Sequence, residues 1–343
     1  MTNAADEEDL TSVNVEGSDV LKFKDKVYNQ LVYSGMGKKI LRKNMVNGVN
    51  TLTQSMINDE NTIYVIQYDF VLGENITVPA NCVLEFDGGS LGNGSITLND
   101  TKICGSHYCL RENLTILGTH NDIDLDWLGI NGNNPNNVSR FNLVTGKNYY
   151  FNSNIIFTNG DLEIPANCKI DGRNNKMRFN CESVSKGCIR LVGEHSILEN
   201  IIFEVGNISF DGVVISVDTT DSFYGSFRLR NLEIWGVWFS NRDYKSTAIK
   251  IYCSNEDENT AFNYITGCQI NNILIKDVNI GIDITNRAEN YDDSNYYAWL
   301  NEIYIINPII HAKSIGIKTT YINNTVHNPA TSVGPVYVNN YEF

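Results

Sequence analysis

Charged residues are scarce in this 343-residue chain: 19 % are charged, against 42 % that are hydrophobic. Windows rich in Ala, Glu, Leu and Lys are missing, which argues against a helical bundle. Proline is rare as well, with six residues. No apolar run reaches the ~18–20 residues of a transmembrane helix, so no membrane insertion is expected. The opening MTNAADEEDL is acidic and polar, the reverse of a signal peptide. The chain is therefore expected to be made and assembled in a cytoplasm. A net charge of −14 repels a phosphate backbone, which argues against nucleic-acid binding by the body of the protein. The eight cysteines form no CxxC pair, and the five histidines form no HxH or HxxxH. Neither a metal centre nor a cofactor is expected, and the cysteines read as buried free thiols. No phosphate-binding loop is expected at Gly88-Gly89 and Gly92-Asn93-Gly94, because no helix opens after them.

Asn, Gly, Ile and Val recur throughout, the texture of short strands separated by tight turns. Residues 1–17 hold five carboxylates and no basic residue, and read as a flexible acidic arm. Residues 18–60 gather Lys22, Lys24, Lys26, Lys38, Lys39, Arg42 and Lys43 around apolar positions such as Val27, Leu31 and Ile40. They read as a solvated basic face or as a docking segment for another protein. Residues 61–117 form a first block of strands, such as Thr62–Ile66 and Val83–Phe86. Residues 118–148 are polar and irregular, a connection to a second block over 149–343.

The second block is repetitive. A phrase of apolar-x-Asn-apolar-x-apolar occurs at Leu198–Phe203, Leu229–Ile234 and Ile270–Ile275. Leu300–Ile305 matches it with Glu302 in the Asn place, and Val338–Phe343 gives a fifth copy. The key positions step by 31, 41, 30 and 38 residues. Two apolar residues three apart cannot both face inward on one straight strand, because side chains alternate with a period of two. A bend must lie between them, and Asn tolerates the left-handed backbone such a bend requires. Stacked ~4.8 Å apart, successive copies bring Asn over Asn. The expected fold is therefore all-β, a right-handed parallel β-helix with a less regular N-terminal segment. Insertions at 218–227, 254–267, 286–298 and 320–335 follow the same point of each repeat. They are expected along one face, where repeat proteins carry their binding surfaces.

The stretch MGKKILRKNMVNGVNTLTQSMINDENTIYVIQYDFVLGENITVPANCVLEFDGGSLGNGSI, residues 36–96, resembles the N-terminal region of tail proteins from bacteriophages and prophages of gut Bacteroidales, crAss-like phages included. The segments LRKN, TIYVIQYD and VLEFDGGS carry the resemblance, which is specific over roughly residues 18–105. WLNEIYIINPIIHAKSIGIKT at 299–319 is similar in style. The resemblance implies a pectate-lyase-like β-helix in a virion component. It implies a homotrimer that meets other tail proteins through residues 1–60 and presents the β-helix outward. The function expected is a tail fibre or tailspike-like appendage for host attachment. An enzymatic tailspike that depolymerises surface polysaccharide, and a head-fibre or collar component without ligand, stay open.

The insertions are rich in aromatic and acidic groups. Asp221, Tyr224, Tyr291, Asp292, Asp293, Tyr296, Tyr297 and Trp299 are candidates for contact with a host surface glycan. Aromatic faces stack on sugar C–H surfaces, and carboxylates accept sugar hydroxyls. The same residues could simply solvate loops and cover strand edges. Acid pairs such as Asp221 with Asp292 or Asp293 would suit glycosidase chemistry, but too many carboxylates qualify for any to be singled out. Trp235 and Trp238, in an apolar run, are expected to fill a core or a subunit contact.

Overall fold

A computed structural model describes residues 12–15, 18–21, 36–218, 224–237, 244–254, 262–288, 297–323 and 336–339. The described chain is almost all β, with one short α-helix, Asn137–Arg140. It divides into two compact units, residues 1–121 and 122–343. The boundary falls inside the stretch expected to be irregular.

In the first unit, Ser12–Val15 pairs antiparallel with Ser18–Leu21, so strand structure occurs within the expected arm. Beyond it lie a four-stranded and a six-stranded sheet. Their neighbours run parallel except at one hairpin, where Met45–Val46 turns back on Val49–Leu52. The turn is Asn47-Gly48, with φ of 52° and 81°, the left-handed pair that a two-residue hairpin requires. Asn61, Asn81, Asn93 and Asn113 of this unit are also left-handed. Asn81 donates from its amide to Asn61 (3.4 Å), and Asn113 donates to Asn93 (3.2 Å).

The second unit is one parallel, curled network of fourteen strands. Its longest members, Phe262–Ala288 and Tyr297–Asn323, stay in register from Phe262 opposite Tyr297 to Ala288 opposite Asn323. They turn corners without breaking the ladder. Corners fall at Gly267, Asn272 and Asp277 on the first strand, and at Glu302 and Asn307 on the second, all with positive φ. Between corners the side chains alternate. Leu229, Ile270 and Ile305 are fully buried, while Arg230, Asn271 and Ile306 beside them are only half-buried. Burying these Ile, Leu, Val and Phe side chains is the main stabilising term, at roughly 1.5–3 kcal/mol for each large one.

The repeated asparagine does what its place in the phrase predicts, with one correction. Asn200, Asn231 and Asn272 all have φ between 51° and 55°. Asn231 donates its amide to Asn200 Oδ1 (3.0 Å), and Asn272 donates to Asn231 Oδ1 (3.2 Å). The ladder starts on a carboxylate, because Asn200 donates to Asp171 Oδ1 at 3.0 Å. The next rung is Asn307, which donates to Asn272 Oδ1 at 2.8 Å, and not Glu302. The spacing from Asn272 to Asn307 is thus 35 residues. The copy assigned to Leu300–Ile305 belongs to the preceding corner. The Thr266–Asn301 and Cys268–Ile303 pairs bracket Gly267 and Glu302, which therefore share a row. Both corners demand a left-handed residue, so the two phrases look alike in sequence. Only an amide, which donates and accepts at once, can extend the ladder.

Trp235 does not fill the core. Ile234 is fully buried and Trp235 points the other way, half-buried on the outer face. The ammonium groups of Lys276 and Lys176 lie 3.9 and 4.4 Å from its ring centre, and its indole N–H donates to Glu233 (3.0 Å). Trp238 lies outside the described residues. All eight cysteines are free, and all but Cys104 are buried. Burial pushes the thiols of Cys168 and Cys268 up to about 12.

Two predictions follow from corners and core. Asn231→Ala loses two ladder bonds and strains a left-handed corner. It is expected to cost about 1–2 kcal/mol, read as a lower urea midpoint at unchanged slope; an unchanged midpoint would show that the ladder is dispensable. The folded-state thiol values lie above the ordinary value of 9.0. Their contribution is therefore complete below about pH 9 and is lost as pH rises towards about 12. The urea midpoint is expected to fall over that window, and less steeply in the double variant Cys168→Ala/Cys268→Ala than in the parent chain.

Candidate functional site

The points where the insertions leave and rejoin the second unit are set by strand register. Asp218, Tyr252, Thr285 and Thr320 occupy one row on successive strands, just before the chain departs. Tyr224, Tyr264 and Trp299 occupy another row, where it returns. Phe262 and Tyr297 pair two residues earlier on the same strands. Ile265 and Leu300, next in line, are fully buried. Aromatic residues scattered over 76 positions (224–299) thus share one strip of neighbouring register positions on adjacent strands. Among the sequence-derived candidates, Tyr224, Tyr297 and Trp299 lie on this strip. Asp221, Tyr291, Asp292, Asp293 and Tyr296 lie outside the described residues.

Five residues beyond Tyr264 and Trp299, across a corner, the same strands present an outer face. Its first row is Lys169, Ile197, Arg228, Gln269, Tyr304 and Tyr337, and its second is Asp171, Glu199, Arg230, Asn271, Ile306 and Asn339. The rings of Tyr304 and Tyr337 stack at 5.0 Å and 8°. Lys169 holds Glu199 at 2.6 Å. The second row continues towards the start of the unit through Tyr150 to Asp124. Asp124 is buried and accepts from the Asp126 backbone N–H (3.0 Å) and the Asn152 amide (2.7 Å). Burial first, and the neighbouring Asp126 charge after it, hold the Asp124 carboxyl above the usual carboxylate range, against the lowering effect of those two hydrogen bonds. Arg173 lies 3.6 Å above the Tyr150 ring and donates to Asn152 (2.7 Å). Residue types and spacing do not single out these carboxylates, because they become neighbours only through the register.

The basic docking candidates divide. Lys22, Lys24 and Lys26 lie outside the described residues. Lys38 meets Glu85 (3.2 Å) and Lys39 meets Asp59 (2.8 Å), so both are neutralised within the first unit. Lys43 covers the ring of Tyr68 at 4.8 Å, and Arg42 is exposed. Beside these last two the hairpin exposes Met45, Val46 and Val49. An apolar tip flanked by cations is the composition of a protein contact.

Among the described residues no group of three or more His, Cys, Asp or Glu side chains could hold a metal ion, and no helix is long and apolar enough to cross a membrane. No family model, curated protein or solved structure matches the chain.

Proposed function

We propose that this chain is a structural protein of a bacteriophage virion: a tail fibre or tailspike-like appendage built as a right-handed parallel β-helix and assembled as a homotrimer. It docks on other tail proteins through residues 1–60 and attaches to a host surface glycan through the second unit. The observation that supports attachment is the aromatic strip, with Tyr224, Tyr264 and Trp299 in one row and Phe262 and Tyr297 in the next. Neighbouring strands lie about 4.8 Å apart, so an aromatic residue recurs at that interval along the row, the composition that stacking on successive sugar rings calls for. The apolar hairpin tip beside Arg42 and Lys43 supports docking. The resemblance of residues 36–96 to phage tail proteins supports the virion setting.

The test is carried out in virions. A chain lacking residues 1–60 is expected to be missing from purified particles. Particles carrying the double variant Tyr264→Ala/Trp299→Ala should contain the protein but adsorb to host cells at least tenfold less well. Incorporation without residues 1–60, or normal adsorption of the double variant, would overturn the corresponding half of the proposal.

A depolymerising enzyme is the second reading, favoured by the Asp124–Tyr150–Asp171 row. Two strand steps separate the two backbone positions by roughly 9.5 Å, at the upper end of the carboxyl separation used for inverting hydrolysis. The raised Asp124 would serve as the acid and Asp171 as the base. On this reading, host capsule treated with the protein yields new reducing ends of inverted configuration, and Asp124→Asn abolishes them. Capsule left without new reducing ends would remove it.

A further inference from the structure

The outer face beside the aromatic strip carries two cations that the protein itself leaves unneutralised. Arg228 is exposed and Arg230 half-buried, two residues apart on one strand and therefore on the same face. Neither guanidinium makes an ion pair or a side-chain hydrogen bond among the described residues. The surroundings make this unusual. In the same unit Lys169, Lys176, Arg190 and Lys318 meet carboxylates at 2.6, 2.8, 2.7 and 3.5 Å. The carboxylate in register with Arg230 is Glu199, and Lys169 already holds it from the far side. The chain as a whole carries a charge of −14. A surplus of carboxylates is available, yet none is spent here.

Next to the arginines, the following strand offers the amides of Gln269 and Asn271, and Asn271 Oδ1 is buried with no hydrogen-bond partner. The strands after that bring Tyr304 and Tyr337, stacked on each other, with Tyr337 exposed. Three strand steps from Arg228 to Tyr337 make a face about 14 Å long. One corner separates it from the aromatic strip, since Tyr264 and Trp299 precede Gln269 and Tyr304 by five residues each on the same two strands.

We infer that this face selects an acidic polysaccharide, with Arg228 and Arg230 receiving the carboxylates of uronate or sialate units. Guanidinium groups bind carboxylates through two parallel hydrogen bonds. The Gln269 and Asn271 amides meet sugar hydroxyls through their exposed atoms. The overall acidity of the protein acts against non-specific adhesion to polyanions, so attraction is confined to this patch. The inference rests on the glycan-attachment reading and names its ligand class.

The experiment measures binding of the full chain to immobilised polygalacturonate, polysialate, dextran and mannan at 0.05 and 0.5 M NaCl. At least one of the two acidic polymers should bind tenfold or more tightly than both neutral ones, with the preference shrinking at high salt. Arg228→Ala/Arg230→Ala should erase that preference, and Arg228→Lys/Arg230→Lys should restore part of it. Both pairs lie on the surface, so an unchanged melting profile checks that the fold is intact. Binding to neutral polymers alone, or acidic binding that survives the Arg228→Ala/Arg230→Ala change, would overturn the inference and leave attachment standing. Failure to bind any of the four polymers, together with normal virion adsorption of Tyr264→Ala/Trp299→Ala, would overturn attachment as well.

Discussion

Parallel backbone register is the constraint from which the rest of the second unit follows. Each strand places its N–H and C=O groups against the next, and an unpaired buried peptide group costs enough that the ladder is kept across corners. Once residue 262 stands opposite 297, every partner up to 288 and 323 is set, apart from two small irregularities near Val278. A one-residue slip would turn Ile270, Ile273 and Ile275 outward and expose the core. The same register decides which outward residues are neighbours, so core packing and surface chemistry are coupled. The aromatic strip and the arginine face exist because the isoleucines beside them are held inside.

The corners are the second constraint. A sheet that curls on itself needs abrupt changes of direction, and each uses a residue with positive φ. Non-glycine residues enter that region at a cost of about 1–2 kcal/mol. Asparagine lowers the cost through its short polar side chain and, in the row from Asn200 to Asn307, returns a bond to the neighbouring amide. Gly267 and Glu302 turn an equivalent corner without such bonds. The two kinds of corner therefore differ in chemistry although they share a conformation.

Scarcity of charge gives the remaining charges meaning. Most basic groups on the outer faces are tied to a carboxylate or lie over an aromatic ring, as with Lys176 and Lys276 against Trp235. Exposed ion pairs of this kind are worth little individually, at about 0–1 kcal/mol. Their effect is to leave a surface with few free cations. Arg228 and Arg230 stand out against that background, as does Arg42 beside the exposed hairpin tip of the first unit.

Much of the fold was legible in the amino-acid order. Alternating Ile, Leu and Val fixes the period of two, and Asn at Asn200, Asn231 and Asn272 marks where the chain must bend, both through local sterics that need no partner strand. The same phrases set the expected insertions too wide, since residues 262–267 and 320–323 continue the strands Phe262–Ala288 and Tyr297–Asn323. Sequence reasoning failed at Glu302, because the two kinds of corner ask for the same backbone conformation and only stacking shows which column a residue joins. Trp235, expected in a core or a subunit contact, lies outside the core for a related reason, since an apolar run does not reveal which of two adjacent bulky residues faces inward. The likeness of Asp124, Tyr150 and Asp171, and of Arg228 and Gln269, to parts of one site was invisible, because nothing in their spacing relates them. Local chemistry determined that this chain would form strands with left-handed asparagine corners. Tertiary structure alone decided which side chains became neighbours, because contacts across stacked strands depend on the full number of residues spent between one corner and the next.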